Sequence, residues 1–266
     1  TSDVISAQAF SDQDMMPAEN VTVVLSEKGW VKAAKGHEID SSALNYKSGD
    51  AFLKEAKGRS NKMAFFIDSS GRSYTLLANS LPSARGQGEP LTGRLTPPIG
   101  AEFIDVVMGD DEQLVILSSD AGYGFISTLG DLQSKTKSGK HAITLSKEAK
   151  TMRLTKVQNL ESDYLAVITN RARLLIFQVS ELPHLSKGKG NKLINIKTDD
   201  FVAKEEFLIG LCIIKENQKL RVEYGNGKKH KQYSFSDLVN FTSHRARKGL
   251  TVPGVHGKAL GIDAIG

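Results

Sequence analysis

Cysteine is all but missing. Cys212 is the one thiol in 266 residues, so no internal disulfide can staple the fold and no cysteine set can hold zinc. It lies in the apolar run Leu208–Ile214, which reads as a buried, inert thiol. The six histidines (His37, His141, His184, His230, His244 and His256) show no metal-ligand spacing, so no metal site is expected. Aromatic residues make up 7%, and Phe65, Phe66, Tyr74, Phe125 and Phe177 fall inside strand-like runs, where they read as core rather than as base-stacking platforms. No apolar run approaches the roughly 18 residues of a membrane helix. No charged-then-apolar leader precedes the fold. These absences point to a cytoplasmic protein without membrane contact. The opening Thr1 reads as the start of a processed product or of a piece of a longer protein.

Catalytic patterns are missing as well. Gly139-Lys140 has Ser134 where a Walker loop needs glycine and His141 where it needs Ser or Thr. Gly86-Gln87-Gly88 opens no helix, and no GxSxG elbow or paired acid and base stands out. No catalytic residue is assigned.

What is present is moderately basic and globular in composition, with 39% hydrophobic and 24% charged residues and a net charge of +5. Residues 1–30 carry Asp3, Asp12, Asp14, Glu19 and Glu27 against Lys28, so the rest holds more positive charge than the total suggests. An acidic linker over 1–18 and a basic body over 19–266 follow. Such a body suits a phosphate-rich partner, although charge alone serves solubility equally well.

The body repeats. Val21–Leu25, Met63–Ile67, Leu114–Leu117, Tyr164–Ile168 and Leu208–Ile214 are apolar runs, each followed by a turn and a second β-rich run. The turns start at 26, 68, 119, 169 and 215. SEKG, DSSG and SDAG carry the Ser/Asp…Gly signature of a type I turn, TNRA keeps only the first residue, and KENQ has lost it. The turns start 42, 51, 50 and 46 residues apart, and paired short strands at such a period are the mark of a propeller-like array. No long helical periodicity interrupts it; short helical turns are expected over 237–242 and near 41–44.

Behind each hairpin lies a segment mixing glycine with Lys or Arg. These are Tyr46-Lys47-Ser48-Gly49, Ser83–Gly88 with Arg85, Lys135–Lys140, Ser186–Lys192, and His244–Gly249. Gly88, Gly139 and Gly190 recur every 51 residues. Glycine lets a backbone approach a phosphate and the flanking cations supply attraction, so loops in phase predict a basic belt for a polyanion. The candidate polyanion-binding residues are Lys47, Arg85, Arg94, Lys137, Lys140, Lys187, Lys189, Lys192, Lys228, Lys229, Arg245, Arg247 and Lys248. The stretch holding Lys228, Lys229, Lys231 and Arg245–Lys248 reads alternatively as a partly disordered arm.

The runs VTVVLSEKGWVKAAKGHEID, SNKMAFFIDSSGRSYTL, LPSARGQGEPLTG, SSDAGYGF and LSKGKGNKLINI resemble the C-terminal domains of bacterial topoisomerase IV A subunits, the ParC family, over about residues 20–262. The resemblance implies an all-β, five-bladed β-pinwheel: a propeller-like disc of four-stranded blades that exchange strands, with blades at about 19–58, 59–108, 109–158, 159–204 and 205–262. The unequal first and last units leave a closed and an open ring both available. It implies a non-catalytic domain that binds and bends duplex DNA for a topoisomerase whose catalytic tyrosine and breakage–reunion core lie outside this chain. The ATPase subunit, ParE, is the implied partner; ATP and Mg2+ belong to the holoenzyme and no cofactor to this chain. The nucleoid is the implied location. A MukB-type condensin docking on the same basic face is the alternative role. The related gyrase domains carry a QRRGGKG box that is absent here; Ser83–Gly88 and Leu185–Lys192 are the nearest look-alikes, which argues against gyrase-like wrapping.

Overall fold

In the computed structural model of the chain, residues 17–255 and 258–266 are described. Residues 1–16 of the expected linker and His256 lie outside them. The chain divides into two compact units, one of residues 17–113 with 128–143, the other of residues 114–127 with 144–266.

The first unit holds two four-stranded antiparallel sheets. One runs in the order Phe52–Arg59, Asn20–Ser26, Trp30–Lys35, Glu89–Pro90. The other runs Lys140–His141, Arg72–Leu77, Met63–Asp68, Phe103–Val107. Met63–Asp68 is buried at every position, which is why its sequence is apolar almost throughout instead of alternating. Phe66, Tyr74, Leu91 and Met108 close this unit's core. Tyr74 stacks edge-on against Phe103 with ring centroids 5.3 Å apart, and its hydroxyl donates to Asp68 Oδ2 at 2.6 Å.

The second unit holds three sheets. The third sheet of the chain is Thr155–Lys156, Leu114–Ser118, Tyr123–Thr128, Asn191–Lys192. The fourth is Leu208–Ile214, Tyr164–Thr169, Arg173–Gln178, Leu250–Thr251. The fifth has three strands, Lys229–Ser234, Lys219–Tyr224 and Ala259–Ile265. Phe125 and Phe177 are fully buried, as the sequence predicts for strand aromatics. The expected helical turns form at Ser41–Ala43 and Ser236–Phe241.

Four hairpin turns share one geometry. The N–H groups of Gly29, Gly71, Gly122 and Ala172 donate to the carbonyls of Ser26, Asp68, Ser119 and Thr169 at 3.0, 3.2, 3.0 and 2.9 Å. All four residues take positive φ, with Ala172 at 61° where the other repeats have glycine. The first-position side chain ties the turn: Asp68 Oδ1 accepts from Ser70 and Arg72 N–H, and Thr169 Oγ1 from Arg171 and Arg173 N–H.

Three expectations are corrected. Leu208–Ile214 does not open the fifth hairpin; it pairs with Tyr164–Thr169 as the outer strand of the fourth sheet. The fifth hairpin is Lys219–Tyr224 with Lys229–Ser234, turned at Gly225-Asn226-Gly227-Lys228. The Asn-Gly pair there is the hairpin signal, whereas KENQ had none. The same pairing places Lys229 and Lys231 in an ordered strand rather than in a disordered arm. The fifth sheet also has three strands among the described residues, not the four expected of a blade.

Candidate nucleic-acid interface

The Gly-basic segments behind the second to fifth hairpins are bulges, each pinned at both ends on the sheet before it. In the first sheet, Ala33 N–H donates to Pro82 O at 2.8 Å and Ala84 N–H to Ala33 O at 2.9 Å. Glu89–Pro90 then returns antiparallel onto Trp30 and Val31. Arg85–Gly88 is squeezed outward between the two attachments. The third sheet repeats this: Ile126 N–H donates to Pro183 O (2.8 Å) and Leu185 N–H to Ile126 O (2.9 Å). Asn191–Lys192 then pairs with Gly124 and Tyr123. In the fourth, Ser243 N–H donates to Ile176 O at 2.9 Å and Leu250–Thr251 pairs with Leu174 and Arg173. In the second, Ser134 N–H donates to Thr75 Oγ1 at 3.0 Å and Lys140–His141 pairs with Ser73 and Arg72.

Each bulge closes on a positive-φ glycine: Gly88, Gly139, Gly190 and Gly249. A Cβ on Gly139 would stand 2.7 Å from the Ser73 carbonyl oxygen and 2.7 Å from the Tyr74 ring, so only glycine fits. The sequence spacing of these glycines therefore records where the chain crosses from one hairpin to the previous one. Each of three later bulges also accepts a backbone bond from upstream chain, with Thr96 N–H donating to Lys137 O (2.9 Å), Thr144 N–H to Gly188 O (2.8 Å) and Asn195 N–H to Arg247 O (2.9 Å).

This architecture is shared with a solved structure, the E. coli ParC C-terminal domain. The two are 43% identical, with a TM-score of 0.82 over 92% of this chain and 98% of that one. The chain belongs to the ParC C-terminal domain family. Its sheets are those of the β-pinwheel, or propeller, found in that family and in its gyrase relatives. A family model described as "DNA gyrase C-terminal domain, beta-propeller" matches residues 113–157 and 163–204. The A subunit of DNA topoisomerase 4 from Pseudomonas aeruginosa is 49% identical over 93% of this chain, and that from Escherichia coli K12 is 45% identical over 94%. The chain spans about a third of the length of these relatives, 32% and 33%.

Within this ParC-type domain the predicted cations fall into two groups. Arg85, Lys137, Lys187, Arg247 and Lys248 are exposed on the bulges, and their side chains make no ion pair or hydrogen bond among the described residues. Lys189 is exposed with its ammonium 4.1 Å from the Tyr123 ring centroid, a cation–π contact that holds it in place without neutralising it. The others are engaged. Arg94 pairs with Glu89 at 2.6 Å and reaches Ser80 Oγ at 3.0 Å. Lys140 donates to the Asp131 carbonyl, and Lys192 lies 3.4 Å from Asn195 Oδ1. Arg245 donates to Lys192 O at 2.8 Å while its N–H meets Glu181 at 3.0 Å.

Lys228 and Lys229 stand exposed at the turn of the fifth hairpin, outside the bulge segments. Lys47 belongs to a different kind of loop. Tyr46–Gly49 leads into Phe52–Arg59, the outer strand on Asn20–Ser26 of its own sheet, and folds on its own hairpin turn, where Asp50 accepts from Ser26 Oγ (2.6 Å) and Lys28 N–H (3.0 Å). Burial works against the Asp50 charge, but hydrogen bonds from Ser26, Ala51 and Lys28 prevail and hold its carboxyl below the ordinary range. Lys47 lies 5.0 Å over the Trp30 ring.

Sequence reasoning missed the residues that position the bulges. Arg72 donates to the carbonyls of Ser138 (2.8 Å) and Gly139 (3.2 Å), and Arg173 to that of Lys248, each from the position after the turn residue of positive φ. Their equivalent placement in the second and fourth repeats was the available signal. Lys32 is 2% exposed and donates to the carbonyls of Asn45 and Gly86, the latter at 3.3 Å. Burial lowers its pKa, against an opposing pull from Asp50.

Proposed function

We propose that this ParC-type domain binds duplex DNA through its bulged Gly-basic loops and hands DNA segments to the catalytic core of a topoisomerase IV A subunit. The chain's own part is non-catalytic. Strand passage, ATP and Mg2+ belong to the rest of a holoenzyme that includes an ATPase subunit. The outcome there is decatenation and supercoil relaxation at the nucleoid.

One observation carries this reading. Exposed, unpaired cations recur at one place in successive sheets, on backbone that is fixed at both ends. Held in that way, the loops surrender little conformational entropy when they meet phosphates. Lysine and arginine tips of this kind contact phosphate rather than base edges, so sequence preference is weak and DNA shape and flexibility matter. Lys228 and Lys229 on the fifth hairpin, and Lys47, Arg94, Lys140, Lys192 and Arg245, are further candidate contacts.

Replacing Arg85, Lys137, Lys187 and Arg247 together by Ala tests the reading. Duplex affinity falls, and the slope of log K against log salt shrinks by about 0.9 for each phosphate that is no longer neutralised. An unchanged slope overturns it. The same substitutions in the full-length protein slow decatenation by the reconstituted holoenzyme while leaving DNA cleavage by the core intact.

A further inference from the structure

Ile99 is the most exposed large apolar side chain of the described residues, at 107% of its reference area. It sits at the second position of the turn Pro98-Ile99-Gly100-Ala101, with Pro97 just before it. Ala101 N–H donates to Pro98 O at 3.0 Å and Gly100 takes φ +86°, the pattern of a type II turn. Two consecutive prolines leave the stem little freedom, so the isoleucine is carried on a stiff post. Nothing lies within 4 Å of where a Cβ on Gly100 would be, so the tip stands clear of the body. The post is rooted in the cationic row, because Thr96 N–H donates to the Lys137 carbonyl at 2.9 Å.

An isolated exposed isoleucine is commonplace on a protein surface, but one mounted on a rigid tip beside free cations has a specific partner chemistry. The apolar feature that a duplex offers to such a tip is the stack of its base steps. Apolar wedges of Ile, Leu, Met or Pro act on DNA by entering between base steps from the minor groove, unstacking them and kinking the helix by roughly 20–90°.

We propose that Ile99 is a DNA wedge: it inserts at a base step of the duplex held by the Lys137 bulge and sets a kink there. This rests on the DNA-binding reading above and adds the bending device to it. The wedge favours pyrimidine–purine steps, which unstack most easily. The cations supply affinity and its salt dependence, and Ile99 supplies the bend.

The test uses this chain with a 30-base-pair duplex carrying end-to-end fluorescence-transfer dyes and, in parallel, 2-aminopurine at a central TA step. The unaltered protein shortens the end-to-end distance and raises 2-aminopurine emission. Ile99→Ser, on a fully exposed side chain, leaves the fold intact; it abolishes the emission rise and reduces the bend by tens of degrees, with the salt slope unchanged. Ile99→Leu retains both signals. If Ile99→Ser bends and unstacks DNA as the unaltered protein does, the wedge is wrong and the DNA-binding reading survives. If the unaltered protein does not bind the duplex, both fall together.

Discussion

Arg173 holds the carboxylate of Glu206 with two hydrogen bonds, Nε to Oε2 at 2.8 Å and Nη2 to Oε1 at 2.7 Å. The same guanidinium donates to the carbonyls of Asn195 (2.9 Å) and Lys248, so one fork fixes the fourth-sheet bulge and the end of the third-sheet bulge together. Thr169 Oγ1 completes the carboxylate's shell at 2.9 Å. Burial works against the Glu206 charge, but the hydrogen bonds from Arg173 and Thr169 prevail and hold its carboxyl below the ordinary carboxylate range.

Acid sensitivity follows from that pair. A carboxyl whose folded pKa lies below its unfolded value contributes stability above about pH 4.5 and loses it as pH falls through the folded pKa. Glu206→Gln flattens the acid limb of a stability-against-pH curve below pH 4.5. At neutral pH it costs about 2–3 kcal/mol in urea denaturation, under the loss for a wholly buried pair because Arg173 is 20% exposed.

Bulge closure requires glycine. Gly139→Ala places a methyl against the Ser73 carbonyl and the Tyr74 ring in a positive-φ conformation, at a cost of roughly 2–4 kcal/mol. Gly86→Ala, where nothing stands within 4 Å and φ is ordinary, changes stability by less than about 0.5 kcal/mol. Equal melting temperatures for the two variants would contradict the packing described.

Cations that project freely bind more than cations already engaged. Lys187→Ala weakens duplex affinity more than Lys192→Ala, and Lys137→Ala more than Lys140→Ala, in fluorescence anisotropy at 50–100 mM salt. The reverse order would show that the engaged side chains release their partners for DNA.

Thiol chemistry is suppressed by the fold. Burial, with a smaller contribution from Asp263, pushes the Cys212 thiol up to about 12. At pH 8 the folded protein then reacts with iodoacetamide on the order of 10³-fold more slowly than the urea-unfolded chain, since thiolate is the nucleophile.

Hairpins one to four and the glycine spacing were legible in sequence because each is written locally: an apolar run, a Ser/Asp/Thr turn opener, a residue of positive φ. The fifth hairpin was misread because Leu208–Ile214 has the composition of a first hairpin strand but serves as the outer strand of the sheet before it, and pairing partners are not encoded in composition. Of the site, the position of the cations along the chain was readable. Their division into free and engaged was not, since the partners of Lys140 and Arg94 are the Asp131 carbonyl and the Glu89 carboxylate, set by how the loop closes. Arg72, Arg173 and Lys32 went unnoticed because a cation that serves neighbouring carbonyls looks, in sequence, like one that serves solvent.

Because the two-residue strands Glu89–Pro90, Lys140–His141, Asn191–Lys192 and Leu250–Thr251 complete sheets that begin at Asn20, Met63, Leu114 and Tyr164, more than one repeat earlier, the repeat seen in the sequence and the sheet seen in space are out of phase. A truncation before Leu208 would strip the fourth sheet of both of its flanking strands, whereas an insertion of one whole period preserves every handover. Blade number in such a chain can change by recombination at almost any point within the period, while boundaries drawn between sheets would damage two sheets at once.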